Sequence, residues 1–434
     1  MAKYQKYAEY KDSGVEWLGE IPSHWKVVKL SYKLRLLSGD GITAFDIEDT
    51  GTYPVFGGNG LRGFTEKYNC DGEYALVGRQ GALCGNINVA RGKFFATEHA
   101  VVVYPYEKFN LTYLSEFLRF MDLGQYSVSA AQPGIAVDRI NALPIVIPTL
   151  DEQNSIGDFL DHETTKIDHL IEKQQQLIEL LKEKRQAVIS HAVTKGLDPN
   201  VPMKDSGVEW LGKVPEHWVI PRLKQLIKYG SSISYGIVQP GDALDEGIPF
   251  IQTTNISKGS FELQDFQKTS VAIESNYPRS RLEGGEVILG IRASIGAAFV
   301  VPMSFKGVNL SRGIARIIPN ALLKSDFLVW YFKSNAVYQY WGLSKQGSTF
   351  SEVSIETVRE LSVVVPPIDE QEKISEFLSF ELGKLERLIS SAENQKLLLL
   401  ERRTALISAA VTGKIDVRHW QSPTFAGAQT ELSA

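Results

Sequence analysis

The sequence predicts a duplicated α/β protein: two mixed α/β domains related by a pseudo-twofold axis and separated by two long helices that form an antiparallel coiled coil. Three observations carry this expectation. Residues 11–25, KDSGVEWLGEIPSHW, recur at 204–218 as KDSGVEWLGKVPEHW, with twelve of fifteen positions identical. A match of that length within one chain is an internal duplication. Asp151-Glu152-Gln153 and Asp369-Glu370-Gln371 each open a long helical pattern. Between box and helix, strands and a shorter helix follow in the same order twice. The chain therefore divides into a first domain (1–150), a first long helix (151–195), a second domain (196–368), a second long helix (369–413) and a C-terminal tail (414–434).

In the first domain, residues 74–77 and 100–104 are apolar runs of strand length, 111–121 has helical periodicity, and 143–147 is a strand stopped by Pro148. The second domain repeats the order with strands at 286–289 and 313–318, a helix at 324–334 and a strand at 361–365, stopped by Pro366-Pro367. Element order is shared while most side chains differ, as in one fold carrying two surfaces.

In the first long helix Ile156, Leu160, Ile167, Leu170, Leu177, Leu181 and Val188 recur at heptad steps. Phe159, Ile171 and Ile178 widen the stripe. In the second helix Ile374, Leu378, Leu385, Leu388, Leu399 and Leu406 follow a similar course. Asp and Glu at each start suit the positive end of the helix dipole, and Gly196 and Gly413 mark the ends. Each helix can run about 45 residues, some 65 Å, and so needs a partner along its length; the duplication supplies it. Glu163, Gln174 and Lys184 fall on the seam, where they either fix register or face solvent at a splayed contact. Residues beyond about Gln421 are small and polar, as in a disordered tail.

The chain has 434 residues, 46 basic and 51 acidic groups, and two cysteines, Cys70 and Cys84. That cysteine count excludes a disulfide framework and a cysteine metal site. No apolar run approaches the length of a membrane span, and the N-terminus lacks the apolar stretch of a signal peptide; a cytoplasmic location follows. The net charge of −5 lies mainly on the long helices, with 6 basic to 9 acidic groups at 151–195 and 6 to 8 at 369–413, whereas residues 200–368 carry 17 to 15. A DNA-binding face on the domains is permitted by that distribution.

No catalytic motif is present: no phosphate-binding P-loop, no H-E-x-x-H, and no Asn- or Asp-Pro-Pro-aromatic tetrapeptide of an amino methyltransferase. Gly57-Gly58-Asn59-Gly60 lacks the following Lys and helix and reads as a tight loop between strands. His24 and His217, inside the repeated box, read as packed structural residues. Trp17, Trp25, Trp210 and Trp218 read as anchors docking each box onto a helix or a domain.

The strongest chemical signal is Gly78-Arg79-Gln80-Gly81 after the first strand, with Arg292-Ala293-Ser294 after its counterpart. Arg at a strand end suits guanine in the major groove and Gln suits adenine. A surface salt bridge has the same local signature, and recurrence at corresponding points of two domains favours the DNA-reading role. Further candidate DNA-binding residues are Asn59, Arg62, Lys67, Arg91 and Lys93 in the first half, and Gln252, Thr253, Asn255, Lys258, Ser294, Arg312, Lys345, Gln346 and Ser348 in the second.

With its duplicated SGVEWLG-x-x-P-x-HW box, the P-x-x-DEQ helix starts and the order box–domain–helix twice over, nearly the whole chain resembles the specificity subunits of type I restriction-modification systems. The resemblance implies two target-recognition domains, each reading one half of an asymmetric bipartite site in double-stranded DNA, with the coiled coil setting the gap. It implies a non-catalytic chain that recruits two adenine methyltransferase subunits and restriction/translocase subunits. It also implies that no cofactor is bound by the chain itself, S-adenosylmethionine belonging to the methyltransferase partner and ATP and Mg to the restriction partner.

Overall fold

A computed structural model of the chain describes residues 4–81, 83–127, 134–258, 262–343 and 352–422. In the first half the strands are β1 (Tyr10–Asp12), β2 (Glu20–Pro22), β3 (Lys26–Lys29), β4 (Leu34–Ser38), β5 (Tyr53–Gly57), β6 (Gly60–Thr65), β7 (Cys70–Gly78), β8 (Ile87–Ala96) and β9 (Ala100–Pro105). Then come α1 (Leu111–Phe120), α2 (Val137–Asn141), β10 (Pro144–Ile147) and the long helix α3 (Leu150–Lys195). The second half has β11 (Met203–Asp205), β12 (Lys213–Pro215), β13 (Ser234–Tyr235), β14 (Ile248–Ile251), α4 (Thr253–Lys258), β15 (Gln267–Thr269) and α5 (Val271–Glu274). These precede β16 (Val287–Gly290), β17 (Ala298–Val300), β18 (Asn309–Leu310), β19 (Ile314–Ile317), α6 (Ser325–Phe332), α7 (Asn335–Leu343), α8 (Ile355–Glu360) and the second long helix α9 (Ile368–Val411).

Contacts divide the chain into two units that cut through both long helices: residues 1–175 with 394–434, and residues 176–393. In the first unit a six-stranded sheet has the order β4-β9-β7-β8-β5-β6, antiparallel except where β5 meets β8. In the second, β13-β19-β16-β17 form one sheet and β15-β14-β18 another, with β14 and β18 parallel. The β9-β7 and β19-β16 ladders superpose in register: Ala100 faces Gly78, and Ile314 faces Gly290. Gly39 and Gly236 hold the same place beside these ladders. A Cβ there would lie 2.0 Å from the Ala96 carbonyl oxygen and 1.8 Å from that of Leu310, so only glycine fits.

The strand expected at 361–365 is reduced to isolated bridges, Val365 to Val219 and Ser362 to Arg222. Its counterpart β10 pairs continuously with β3 through Val27 and Val28. In the second half Pro221 stands in the partner segment; it accepts from Val363 N–H at 2.9 Å but has no N–H to return, which interrupts the ladder.

The DEQ triplet and the box form one joint. Trp25 is fully buried, its indole N–H donating to Glu152 Oε1 at 3.3 Å, and His24 Nε2 lies 2.8 Å from the same oxygen. Trp218 and His217 grip Glu370 in the same way but on its two oxygens, the indole N–H donating to Oε2 at 2.9 Å and His217 Nε2 lying 2.7 Å from Oε1. Gln153 and Gln371 face the domain instead: Gln153 Oε1 accepts from Asn110 N–H and Gln371 Oε1 from Lys324 N–H, at the starts of α1 and α6. The other box tryptophans also reach the domains, Trp17 packing on Phe117 and Phe120 of α1 and Trp210 on Tyr340 of α7. In the first half Thr149 adds a capping box. Its hydroxyl accepts from Glu152 N–H while the Glu152 carboxylate accepts from Thr149 N–H. Pro367 occupies that place in the second half.

Burial alone would raise the Glu152 carboxyl. The His24 and Trp25 hydrogen bonds outweigh it and hold the group below its ordinary value.

The long helices pair antiparallel. In the first unit Arg403 binds Asp168 through two hydrogen bonds, and Lys396 binds Gln175. In the second unit Arg185 pairs with Glu386 at 3.1 Å. The heptad reading does not describe the buried stripe of α3: Leu170 and Leu177, placed on the seam, are 48% and 43% exposed. Ile156, Ile167, Ile178 and Ile189, spaced eleven apart, are buried along the whole helix, joined by Phe159 and Leu160 near its start and Ala192 and Val193 near its end. Eleven residues span three turns at about 3.67 per turn, so the stripe stays on one face of a nearly straight helix.

Residues 414–420 pack in the first unit, with Ile415 and Val417 in its core. The tail from 423 lies outside the described residues. Among the described residues no helix is long and apolar enough to cross a membrane.

Candidate nucleic-acid interface

At the end of β7, Gly78 lets the β5–β6 turn approach; a Cβ there would lie 2.2 Å from the Gly58 carbonyl oxygen. Arg79 is held by its backbone on both sides. Its N–H donates to His99 O at 2.9 Å and its carbonyl accepts from Ile135 N–H at 3.0 Å. Its half-buried guanidinium donates to Ser38 Oγ at 3.3 Å. Gln80 is exposed and bridges to Gly134. The turn between β5 and β6 carries exposed Asn59, and the stem of Arg62 lies over Gly57, where a Cβ would come within 2.4 Å of it. Asn59, Arg62, Arg79 and Gln80 thus gather at one end of the sheet.

Lys67, Arg91 and Lys93 do not join them. Arg91 and Lys93 pair across the ladder with Glu73 and Asp71, six to eight residues back from Arg79 and so roughly 20–26 Å along the strand. Arg91 lies 3.8 Å from the Glu73 carboxylate, and the Lys93 ammonium lies 4.7 Å from the centre of the Tyr68 ring.

The second domain repeats the backbone and changes the register of the arginine. Ile291, not Arg292, makes the two bonds of Arg79: its N–H donates to Gly313 O at 2.9 Å and its carbonyl accepts from Val353 N–H at 2.8 Å. Ile291 is buried. Arg292 corresponds to Gln80, each bridging to the returning segment, at Glu352 and Gly134. The expected correspondence of Arg79 with Arg292 is therefore one residue out. In extended chain a one-residue step turns a side chain to the opposite face. The turn that follows needs a left-handed residue in both halves, supplied by Gly81 (φ +94°) and by Ala293 (φ +59°).

Arg292 and Arg312 flank the Glu352 carboxylate at 3.6 and 3.9 Å, ion-pair contacts too long for hydrogen bonds. Other expected donors are occupied within the domain. Asn255 Oδ1 accepts from Gln252 N–H at the start of α4, and its Nδ2 donates to Asp265 O. Gln252 Nε2 donates to Gln267, and the Ser294 hydroxyl donates to Thr253 O. Lys258 ends α4. Lys345, Gln346 and Ser348 lie outside the described residues. Sequence reasoning missed Ser38 and Glu352, which face the arginines only through strand pairings that no local pattern announces.

Each domain thus ends its central ladder in a polar edge that differs from the other in charge and side chain. The "Type I restriction modification DNA specificity domain" family matches twice, at residues 22–180 and 215–399. The EcoprrI specificity subunit of Escherichia coli is 40% identical over 162 residues, 36% of this chain and 40% of that one. The putative MjaX specificity subunit of Methanocaldococcus jannaschii is 24% identical over 92% of this chain and 96% of its own length. The chain spans less than half of the E. coli relative. In fold, it matches a chain of a type I R-M system with a TM-score of 0.69 at 15% identity, covering 90% of this chain and 98% of the other. The HsdS subunit from Thermoanaerobacter tengcongensis matches with a TM-score of 0.53, covering 91% and 98%. By the double match over most of its length, the chain belongs to the family of type I restriction-modification DNA specificity domains.

Proposed function

We propose that this chain is the non-catalytic DNA-reading subunit of a type I restriction-modification complex, acting in the cytoplasm. Each domain reads one half of an asymmetric bipartite site in double-stranded DNA, and the paired helices set the gap. The observation that carries this is the duplicated ladder end, with one backbone presenting Arg79 and Gln80 in the first half and Arg292 beside Arg312 in the second. Two edges with different donors suit two different half-sites. The chain recruits two adenine methyltransferase subunits and restriction/translocase subunits. It binds no cofactor itself, S-adenosylmethionine belonging to the methyltransferase and ATP and Mg to the restriction partner.

With a net charge of −5 the isolated chain binds DNA weakly and with strong salt dependence, and specific affinity appears in the complex. The test is an exchange of residues 219–366 for the same stretch of another family member, in complex with the methyltransferase. The expected result is a new sequence at one half-site with the other unchanged. A change at both halves, or methyl transfer to DNA by the lone chain supplied with S-adenosylmethionine, overturns the reading.

A further inference from the structure

The pairing of β19 with β16 sets Arg316 beside Ile288, where the first half sets Val102 beside Leu76. The edge strand flanks each on the other side, Ser234 beside Arg316 and Leu37 beside Val102. One ladder position is thus a buried valine in the first domain and an arginine only 6% exposed in the second. Burying an arginine costs desolvation that valine avoids, and the cost is offset only where its donors are occupied. Those of Arg316 are not all occupied. Its Nε donates to the buried Glu286 at 3.0 Å and its Nη1 to the Arg279 carbonyl at 3.1 Å. Its Nη2 is buried and makes no hydrogen bond. The Glu283 carboxylate stands 3.6 Å from it, outside hydrogen-bond range.

Arg316 lines a cavity of about 510 Å³ with Lys228, Tyr229, Ser232, Arg279 and Glu283. Two residues further from the ladder end the first domain has Tyr74 and Tyr104, whose rings pack 4.9 Å apart. The second domain has Glu286 and Ile318 in those places, and the cavity opens over Ile318. Lys228 and Arg279 are exposed and, among the described residues, their side chains are unpaired. Glu286 is taken up by the Arg316 Nε and by the Glu283 N–H. Three cations therefore face one remaining carboxylate, that of Glu283, which lies exposed on the rim.

We infer that this cavity binds a phosphate group. Its two guanidinium forks match anionic oxygens, the Lys228 ammonium adds a point charge, and the Ser232 hydroxyl adds a further donor. Donors that converge from β19, from the loop before β13 and from the turn after α5 suit a tetrahedral anion with three or more acceptor oxygens. A planar carboxylate offers only two. One phosphate oxygen takes the place of the Glu283 carboxylate and gives Arg316 Nη2 its missing acceptor. Tyr229, fully exposed on the rim, presents a ring face to the base of a phosphate ester. The backbone of DNA and a free nucleotide supply the same group.

The test titrates inorganic phosphate, adenosine monophosphate and acetate into the full chain by calorimetry at constant low ionic strength. The wild type should bind the two phosphates saturably at one site and acetate at least tenfold more weakly. Two variants move the affinity in opposite directions. Lys228→Ala with Arg279→Ala removes two exposed, unpaired cations, leaves the melting temperature near that of the wild type, and should weaken phosphate at least tenfold, as the loss of two charged donors implies. Glu283→Gln removes the competing carboxylate and should tighten phosphate several-fold. Absence of saturable phosphate binding by the wild type, equal affinity across the variants, or acetate bound as tightly as phosphate overturns the site. A repeat with a short DNA duplex present separates the sources: phosphate displaced by the duplex assigns the site to the DNA backbone, and phosphate or nucleotide retained beside it assigns a free ligand. Phosphate binding by the lone chain is independent of the proposed reading of half-sites, so either can fail while the other stands.

Discussion

The two halves of this chain keep the same joints between box, long helix and domain, and differ in their sheets and at the ladder ends. In both, a buried tryptophan and a histidine grip the glutamate of the DEQ triplet, and the glutamine beside it grips the start of a domain helix. At the ladder ends the first half presents a half-buried Arg79 where the second buries Ile291. The difference teaches that the repeated motif is frame, and that information about a target sits where the copies disagree.

The frame gives the largest effects. Trp25→Ala and Trp218→Ala should each lower stability by about 3–5 kcal/mol, the usual loss for a large buried aromatic. Denaturant unfolding checks this, and a small loss at one of the two would show that the joints are not equivalent. Glu152→Gln comes next, with about 1–3 kcal/mol lost at neutral pH as hydrogen bonds to a buried charge are weakened. The folded Glu152 carboxyl is held below its ordinary value, so its contribution is present above the ordinary carboxylate range and is lost as pH falls through the lowered folded value. The gap between wild type and Glu152→Gln should therefore close on acidification; a gap constant down to acid unfolding would contradict the joint.

The smallest effects come from the shared left-handed turn. Gly81→Ala should cost about 1–2 kcal/mol, since a Cβ there meets nothing within 4 Å and only the backbone conformation opposes it. Ala293→Gly should gain less, up to about 1 kcal/mol, because glycine's extra freedom in the unfolded chain offsets part of the relief. Opposite signs in thermal unfolding confirm that the two turns match; equal signs break the match.

Much of the frame was legible in the sequence. The box, the DEQ starts and the two long helices are written in strong local patterns, as are the strands rich in Val, Ile and Leu around 74–77 and 286–289. His24 and His217 were expected to be packed; both instead stay exposed, at 40% and 43%, and hold their glutamates from the surface. Other features were not legible. The eleven-residue stripe of α3 lay hidden because Ile156 and Ile167 belong to both spacings and leucines continue the heptad steps beyond them. Pro221 was invisible as a breaker because its partner strand lies about 140 residues away in the chain. The register of Arg292 was set by hydrogen bonds to Gly313 and Val353, so matching the two arginines by residue type misplaced them by one. Ser38 and Glu352 reach the arginines through pairings distant in sequence, and the strand ladder sets Arg91 and Lys93 back from Arg79 along the sheet.

The claim that the halves read separate half-sites is tested most directly by mapping methylated adenines across a host genome that co-expresses the methyltransferase with the wild-type chain, Arg79→Ala or Arg292→Ala. A good base contact is worth about 1–3 kcal/mol of discrimination, so each variant should relax one half-site and keep the other, and the two variants should relax opposite halves. Relaxation of both halves by a single variant, or of the same half by both, would contradict the account.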